Sequence, residues 1–248
     1  MKTLFNKVRA ENPDATLTLD GGDYIQGAAV AALSKGRAFA PIVKAMEYDF
    51  LIPGNWEVVY GKYIMIELIE QYNTPVIAEN MFHENNNYNI FPPYFIKELQ
   101  GVKLGFISYN DPDIPVRQNP SFSKGMKFTP IDYTLTSLID QLKDEEKVDI
   151  LFLVTHIGIS KQVDLANNPA LERVDYILGN DTHERIRKPI QGKYAKVTEP
   201  GAFASFVGRL DITVKDGKIV EDQYELMEVD PEICAADPVI AKIVGEET

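Results

Sequence analysis

Residues 149–154 read Asp-Ile-Leu-Phe-Leu-Val, and this unbroken apolar run constrains the fold more than any other stretch. A surface helix would interleave polar residues at a period near 3.6, and a half-exposed strand would alternate. An uninterrupted run fits a strand covered on both faces. Such a strand needs one layer above it and another below. The flanking sequence supplies candidates for both. Residues 2–11 read as an amphipathic helix with Leu4, Phe5 and Val8 on one face, and helical patterns recur at 38–47, 61–72 and 131–143. Strand-like runs fall at 15–20, 49–52, 75–79 and 174–178, with two more inside 92–108 around the turn at Gly101. Strands alternating with helices indicate α/β layering. Residues 205–214 and 219–229 flank Asp216-Gly217 and read as a hairpin, which argues against a purely parallel sheet. A mixed sheet, or two sheets face to face with helices outside, fits this pattern. Residues 1–230 are expected to form one domain. The stretch 231–248, with Pro231 and Pro238, reads as a tail, a short helix leaving the domain, or the start of an absent second domain.

Charge narrows the function. The chain carries 25 basic and 37 acidic side chains, a formal net charge of −12. Such a surface repels phosphate backbones, so a nucleic-acid groove is not expected. A small phosphorylated substrate remains compatible, because a bound metal supplies local positive charge. No apolar stretch approaches the roughly 20 residues that cross a bilayer, so no membrane span is expected. The opening MKTLFNKVRAENPD lacks the apolar run of a signal peptide. Cys234 is the single cysteine, so no internal disulfide forms and the compartment stays open.

Four strand-like runs end in glycine-punctuated polar clusters. They are Asp20-Gly21-Gly22-Asp23, Gly54-Asn55-Trp56-Glu57, Thr155-His156-Ile157-Gly158, and Gly179-Asn180-Asp181-Thr182-His183-Glu184. The carboxyl ends of strands are where α/β folds place their sites. Glycines there let the backbone turn sharply and bring side chains together. His156 and His183, two of the three histidines, lie in these clusters. Either one alone reads more readily as a strand cap or as a loop residue bonded to backbone. The repeated punctuation favours a metal site.

These motifs resemble the calcineurin-type metallophosphoesterases of the 5′-nucleotidase group. LDGGDYIQG at 19–27 is similar to that family's Gly-Asp motif, and GNWE at 54–57 to its Gly-Asn-His-Glu. THIG at 155–158 resembles the histidine that ends a buried strand, NDTHE at 180–184 the Gly-x-His-x-His motif, and PGAFASFVGRLDI at 200–212 a late strand. NWEVVYG, IFPPYFIKELQGVKLGFIS and IPVRQNPSF are more similar to the SoxB thiosulfohydrolases, which also carry Trp-Glu in the second motif. The resemblance implies a four-layer αββα fold of two packed mixed sheets. It also implies one or two divalent ions (Mn, Mg, Fe or Zn) acting on a small phosphorylated or sulfur-ester substrate. Residue by residue, Asp23 matches the bridging ligand, Asn55 and His156 ligands of the second metal, and His183 a ligand of the first. Glu57 and Glu184 flank these ligands in supporting or exposed roles, and Tyr24 and Gln26 are expected at the pocket mouth.

Three departures qualify the resemblance. The family's Asp-x-His strand, expected just before the opening helix, is missing. The fold then lacks its first strand, and the first metal keeps only Asp23 and His183. A truncated or misplaced start is the favoured reading, and any export signal would lie in the missing part. Trp56 replaces the family's catalytic histidine, and Val59 the aspartate that orients it. An indole N–H donates but cannot shuttle a proton, so no catalytic residue is assigned with certainty. Asp181 stands where the first histidine of the last motif belongs. The set Asp23, Asn55, His156 and Asp181 is therefore oxygen-rich and leans toward Mn²⁺, Mg²⁺ or Fe²⁺ over zinc. The expected activity is a 5′-nucleotidase-like hydrolase, impaired in this form. The alternatives are a SoxB-like thiosulfohydrolase or a non-catalytic module.

Overall fold

Ile150–His156 is the third strand of a six-stranded sheet in the computed structural model, which describes residues 1–247. In spatial order the sheet holds Tyr94–Leu99, Val102–Asn110, Ile150–His156, Tyr176–Asn180, Lys196–Thr198 and Ile190–Gln191. The four inner strands run parallel, and each edge strand is antiparallel to its neighbour. The register sets Asn110 and Asn180 beside His156, one on each flank. Every residue of Ile150–His156 is buried, as its continuous apolar pattern requires.

Alternation along the strand assigns its two faces. Leu151 and Leu153 join a core with Leu135, Leu138, Ile139 and Leu142 from the helical segment after Pro130. Ile150, Phe152 and Val154 face the other way and meet Phe50, Ile52 and Ile77. The Phe106 ring sits at the centre of this inner core, 4.9 Å from Phe50 and 4.9 Å from Phe152, stacked on the latter. Phe50–Leu51 belongs to a second, short parallel layer. It pairs with Leu19–Asp20 on one side and bridges to Val76 through Leu51 on the other. Leu51 points outward from that layer into a third core with Val43, Met46, Met65, Leu68 and Tyr72, supplied by Ala40–Met46 and Lys62–Tyr72. The result is helices, short sheet, large sheet, helices.

Several elements are shorter than the sequence pattern implies. Of 15–20 only Leu19–Asp20 is strand. Thr18 instead receives side-chain support, its N–H donating to Asp49 Oδ2 at 2.8 Å. The helix read at 131–143 divides into a tight 3-10 turn at Ile131–Tyr133, an α-helix at Leu135–Asp140 and a wide π turn at Gln141–Glu145. The hairpin Phe206–Lys215 with Lys218–Glu228 forms as read, and Leu210, Ile212, Val214 and Ile219 lean on the inner core. A second antiparallel pair, Met81–His83 with Met126–Phe128, is too short to leave a period in the sequence. Pro238–Glu247 is a helix lying on Ala40–Met46, with Ile240 against the outer core and the Ala235 carbonyl accepting from Thr3 Oγ1 at 2.7 Å. Among the described residues no helix is long and apolar enough to cross a membrane.

Candidate metal centre

The polar clusters meet where the two sheets end together. His156 closes its strand with 1% of its surface exposed. Opposite it, the loop after Leu19–Asp20 carries Asp23, and the loop after Phe50–Leu51 carries Asn55. Two glycines allow the contact. Gly22 lies at φ 96°, and a Cβ there would fall 2.4 Å from the Gly54 nitrogen and 2.9 Å from His156 Nδ1. A Cβ on Gly54 would fall 2.2 Å from Asp23 Oδ1. No other residue type fits either position without moving the ligands apart.

The two loops are then tied together. Glu57, 2% exposed, accepts hydrogen bonds at one oxygen from the backbone N–H of Asp23 (2.8 Å) and of Gly54 (2.6 Å). The Trp56 backbone N–H donates to Asp23 Oδ1 at 2.9 Å. Burial, reinforced by the Asp23 charge, pushes the Glu57 carboxyl well above its usual range, and its second oxygen has no partner.

The decisive geometry surrounds His156. Nδ1 lies 2.6 Å from the Gly21 carbonyl, which can only accept, so Nδ1 carries a proton. Nε2 then faces three oxygens: Asp23 Oδ2 at 3.2 Å, Asn55 Oδ1 at 3.2 Å and Asp181 Oδ1 at 3.7 Å. A neutral imidazole would turn its lone pair toward those of the three oxygens. The arrangement needs a positive charge at the common point, either a proton or a cation. Burial lowers the His156 pKa, yet the hydrogen bond and charge of Asp23, the Gly21 carbonyl and the Asp181 charge outweigh it and raise the imidazole to about 9. The distances suit a cation equally well. Octahedral ligands at about 2.1 Å from an ion sit about 3 Å from one another when at right angles. Among the described residues no three His, Cys, Asp or Glu side chains, these included, are already spaced to hold a metal ion; the Asn55 amide oxygen is the fourth group at the point.

Asp23, Asn55, His156 and Asp181 thus come together, and His183 does not. His183 is exposed at φ 64°, its ring edge-on to Phe203 at 5.1 Å. Asp23, Asn55 and Asp181 therefore surround His156 Nε2, whereas His183 packs on Phe203. Tyr24 also departs from expectation. Its ring meets Tyr72 edge-on at 5.4 Å and its hydroxyl is buried, so it belongs to the core and not to the pocket mouth. The Glu184 side chain is exposed, while its backbone N–H donates to Glu199 Oε1 at 2.9 Å. Trp56 is half-buried and joins none of the three apolar cores.

One residue was not legible from the sequence. Arg117, at the end of the short helix Ile114–Arg117, donates from Nη1 to Asp181 Oδ2 at 3.0 Å and from Nη2 to Asp181 Oδ1 at 3.3 Å. It also pairs with the fully buried Asp111. The next residue, Gln118, donates to the Asn55 carbonyl at 3.0 Å. In the sequence the stretch IPVRQNPSF carries only a family resemblance, and no spacing rule connects it to the ligand loops.

A family model for calcineurin-like phosphoesterases matches residues 1–185. The chain is 24% identical to a 5′-nucleotidase of Vibrio vulnificus over 92% of this chain and 47% of that protein. It is 28% identical to an NAD 5′-nucleotidase of Haemophilus influenzae over 84% of this chain and 37% of that protein. Among solved structures, the sulfate thiohydrolase SoxB of Thermus thermophilus superposes with a TM-score of 0.92 at 19% identity, covering 99% of this chain and 45% of that one. A 5′-nucleotidase precursor of Thermus thermophilus gives 0.84 at 20% identity, covering 99% and 51%. The chain spans about half the length, or less, of these relatives.

Proposed function

Because the chain belongs to the calcineurin-like phosphoesterase family, we propose that it forms the metal-bearing half of a 5′-nucleotidase-like hydrolase, with Asp23, Asn55, His156 and Asp181 as the ligands of one divalent cation. The observation that carries this reading is the convergence of three oxygens on His156 Nε2. A cation held there would act as a Lewis acid on an ester oxygen and would lower the pKa of bound water.

The chain's own groups do the rest. Asp23 is fixed by the Trp56 N–H and by Glu57 through its own backbone, so its carboxylate is oriented before any ligand arrives. His156 is locked in one tautomer by the Gly21 carbonyl, which makes Nε2 the donor atom. Side chain 56 holds no proton to give, since an indole N–H stays protonated throughout. A leaving group that needs protonation would then gain no help from residue 56. A substrate with a good leaving group is therefore handled best.

A sulfur-ester substrate is the second reading. It is favoured by Trp56-Glu57 in place of the nucleotidases' His-Glu. One assay separates the two. The chain is stripped with EDTA, reloaded with Mn²⁺ and given AMP, an aryl phosphate or a sulfur-ester analogue, with Asp23→Asn in parallel. Mn²⁺-dependent hydrolysis of the phosphate esters, lost in Asp23→Asn, supports the first reading. Turnover confined to the sulfur ester supports the second. Activity indifferent to both EDTA and Asp23→Asn rules out this site.

A further inference from the structure

We infer that Arg117 is a positioning residue of the candidate cation site, a clamp that aims the Asp181 carboxylate at His156 Nε2; this rests on the metal reading given above. Asp181 cannot hold that aim unaided. Its backbone is at φ 99°, in the region that disfavours a residue with a side chain, and His183 two positions on is also left-handed. Such strain persists only where surrounding contacts over-determine it. The Asp181 side chain also points toward a second carboxylate, Asp23, across the same nitrogen. Repulsion between the two would turn the freer one away.

Arg117 opposes both tendencies. Its planar fork takes each oxygen of Asp181 with a separate nitrogen, which fixes the carboxylate's rotation as well as its place. A lysine ammonium would fix place alone. The fork is anchored from behind by Asp111, whose carboxylate is fully buried and also meets Lys161 Nζ at 3.2 Å. The adjoining Gln118 holds the Asn55 carbonyl. One short segment thus steadies two ligand loops that are far apart in sequence. Because Lys161 remains on Asp111, removing Arg117 does not strand that buried carboxylate; Asp181, 7% exposed, is left with His156 Nε2 at 3.7 Å.

The test uses the full chain, stripped with EDTA, and Mn²⁺ as the probe. Binding is measured by titration calorimetry and folding by thermal melts in EDTA. The variants are Arg117→Ala, Arg117→Lys, Asp111→Asn and Asp23→Asn. Loss of an outer partner of a metal ligand typically weakens binding about 10- to 100-fold, and Arg117→Ala is expected in that range. Arg117→Lys recovers part of the loss, and Asp111→Asn shows a smaller loss of the same sign. A purely structural role would lower the EDTA melt and leave the affinity of the folded fraction alone. Unchanged or tighter Mn²⁺ binding by Arg117→Ala overturns the clamp. Should that variant fail to melt cooperatively, Arg117→Lys and Asp111→Asn are judged by the same criterion. Wild type that binds no Mn²⁺ removes the metal reading and the clamp with it. Binding by wild type, lost in Asp23→Asn but indifferent to residue 117, removes the clamp alone.

Discussion

His156 Nε2 lies 3.2 Å from Asp23 Oδ2, although His156 ends a strand of the large sheet and Asp23 follows a strand of the short one. The contact is buried, with the two side chains 2% and 10% exposed. It joins the two sheets at the end where the inner apolar core stops.

The first prediction concerns that tie without any metal. In His156→Ala the Gly21 carbonyl loses its donor, and Asp23 and Asp181 face each other without a positive charge between them. Breaking a buried pair by removing one partner costs about 3–5 kcal/mol. Urea unfolding in EDTA should show a lower midpoint with an unchanged slope. An unmoved midpoint would mean that the contact contributes nothing to holding the sheets together.

Metal removal gives the second prediction. A ligand that binds only the folded state stabilises it by about 2.7 kcal/mol at 100 times its dissociation constant. Adding Mn²⁺ to the stripped chain should raise its melting temperature, and Asp23→Asn should not respond. As donors, two carboxylates, one amide and one imidazole would suit Mn²⁺, Mg²⁺ or Fe²⁺ better than zinc. Stoichiometric zinc retained through a purification without added zinc would contradict that preference.

The layers were legible because burial writes itself into sequence as period and continuity. The run at 150–154 fits a doubly covered strand, and Leu151 and Phe152 take opposite cores as alternation requires. The ligand loops were legible because close approach demands glycine at 22 and 54. What the sequence did not carry is direction. Asp181 and His183 are two residues apart on one loop, yet backbone angles of φ 99° and φ 64° send one inward and the other to solvent. Asp23 at φ 65° likewise turns the chain so that Tyr24 enters the core beside Tyr72. Arg117 acts across tertiary space from a four-residue helix, and no local pattern encodes such a contact.

His183 therefore separates geometry from motif. If one cation binds among Asp23, Asn55, His156 and Asp181, His183→Ala should leave its affinity within about 0.5 kcal/mol, the usual size of effect for a surface substitution away from such contacts. Calorimetry of the variant with Mn²⁺ decides it. A loss as large as that of Asp23→Asn would mean that the loop reorganises to bring His183 inward.

Trp56 carries the last prediction, because its backbone and side chain have separable duties. The backbone N–H holds Asp23 Oδ1 at 2.9 Å, and any residue but proline preserves that bond. The half-buried indole joins no apolar core. Trp56→His should thus keep Mn²⁺ affinity while adding a side chain able to transfer a proton. A positioned general acid is worth about 10²–10⁴ in rate. Val59 is half-buried and stands where the family resemblance implies the histidine's orienting aspartate, so the single substitution should fall at or below the low end of that range. Trp56→His combined with Val59→Asp should exceed it, with the two effects more than additive because they act as one pair. The measurement is kcat on AMP for both variants, beside wild type. If neither gains on AMP, the missing proton donor is not what limits phosphate-ester hydrolysis at this site.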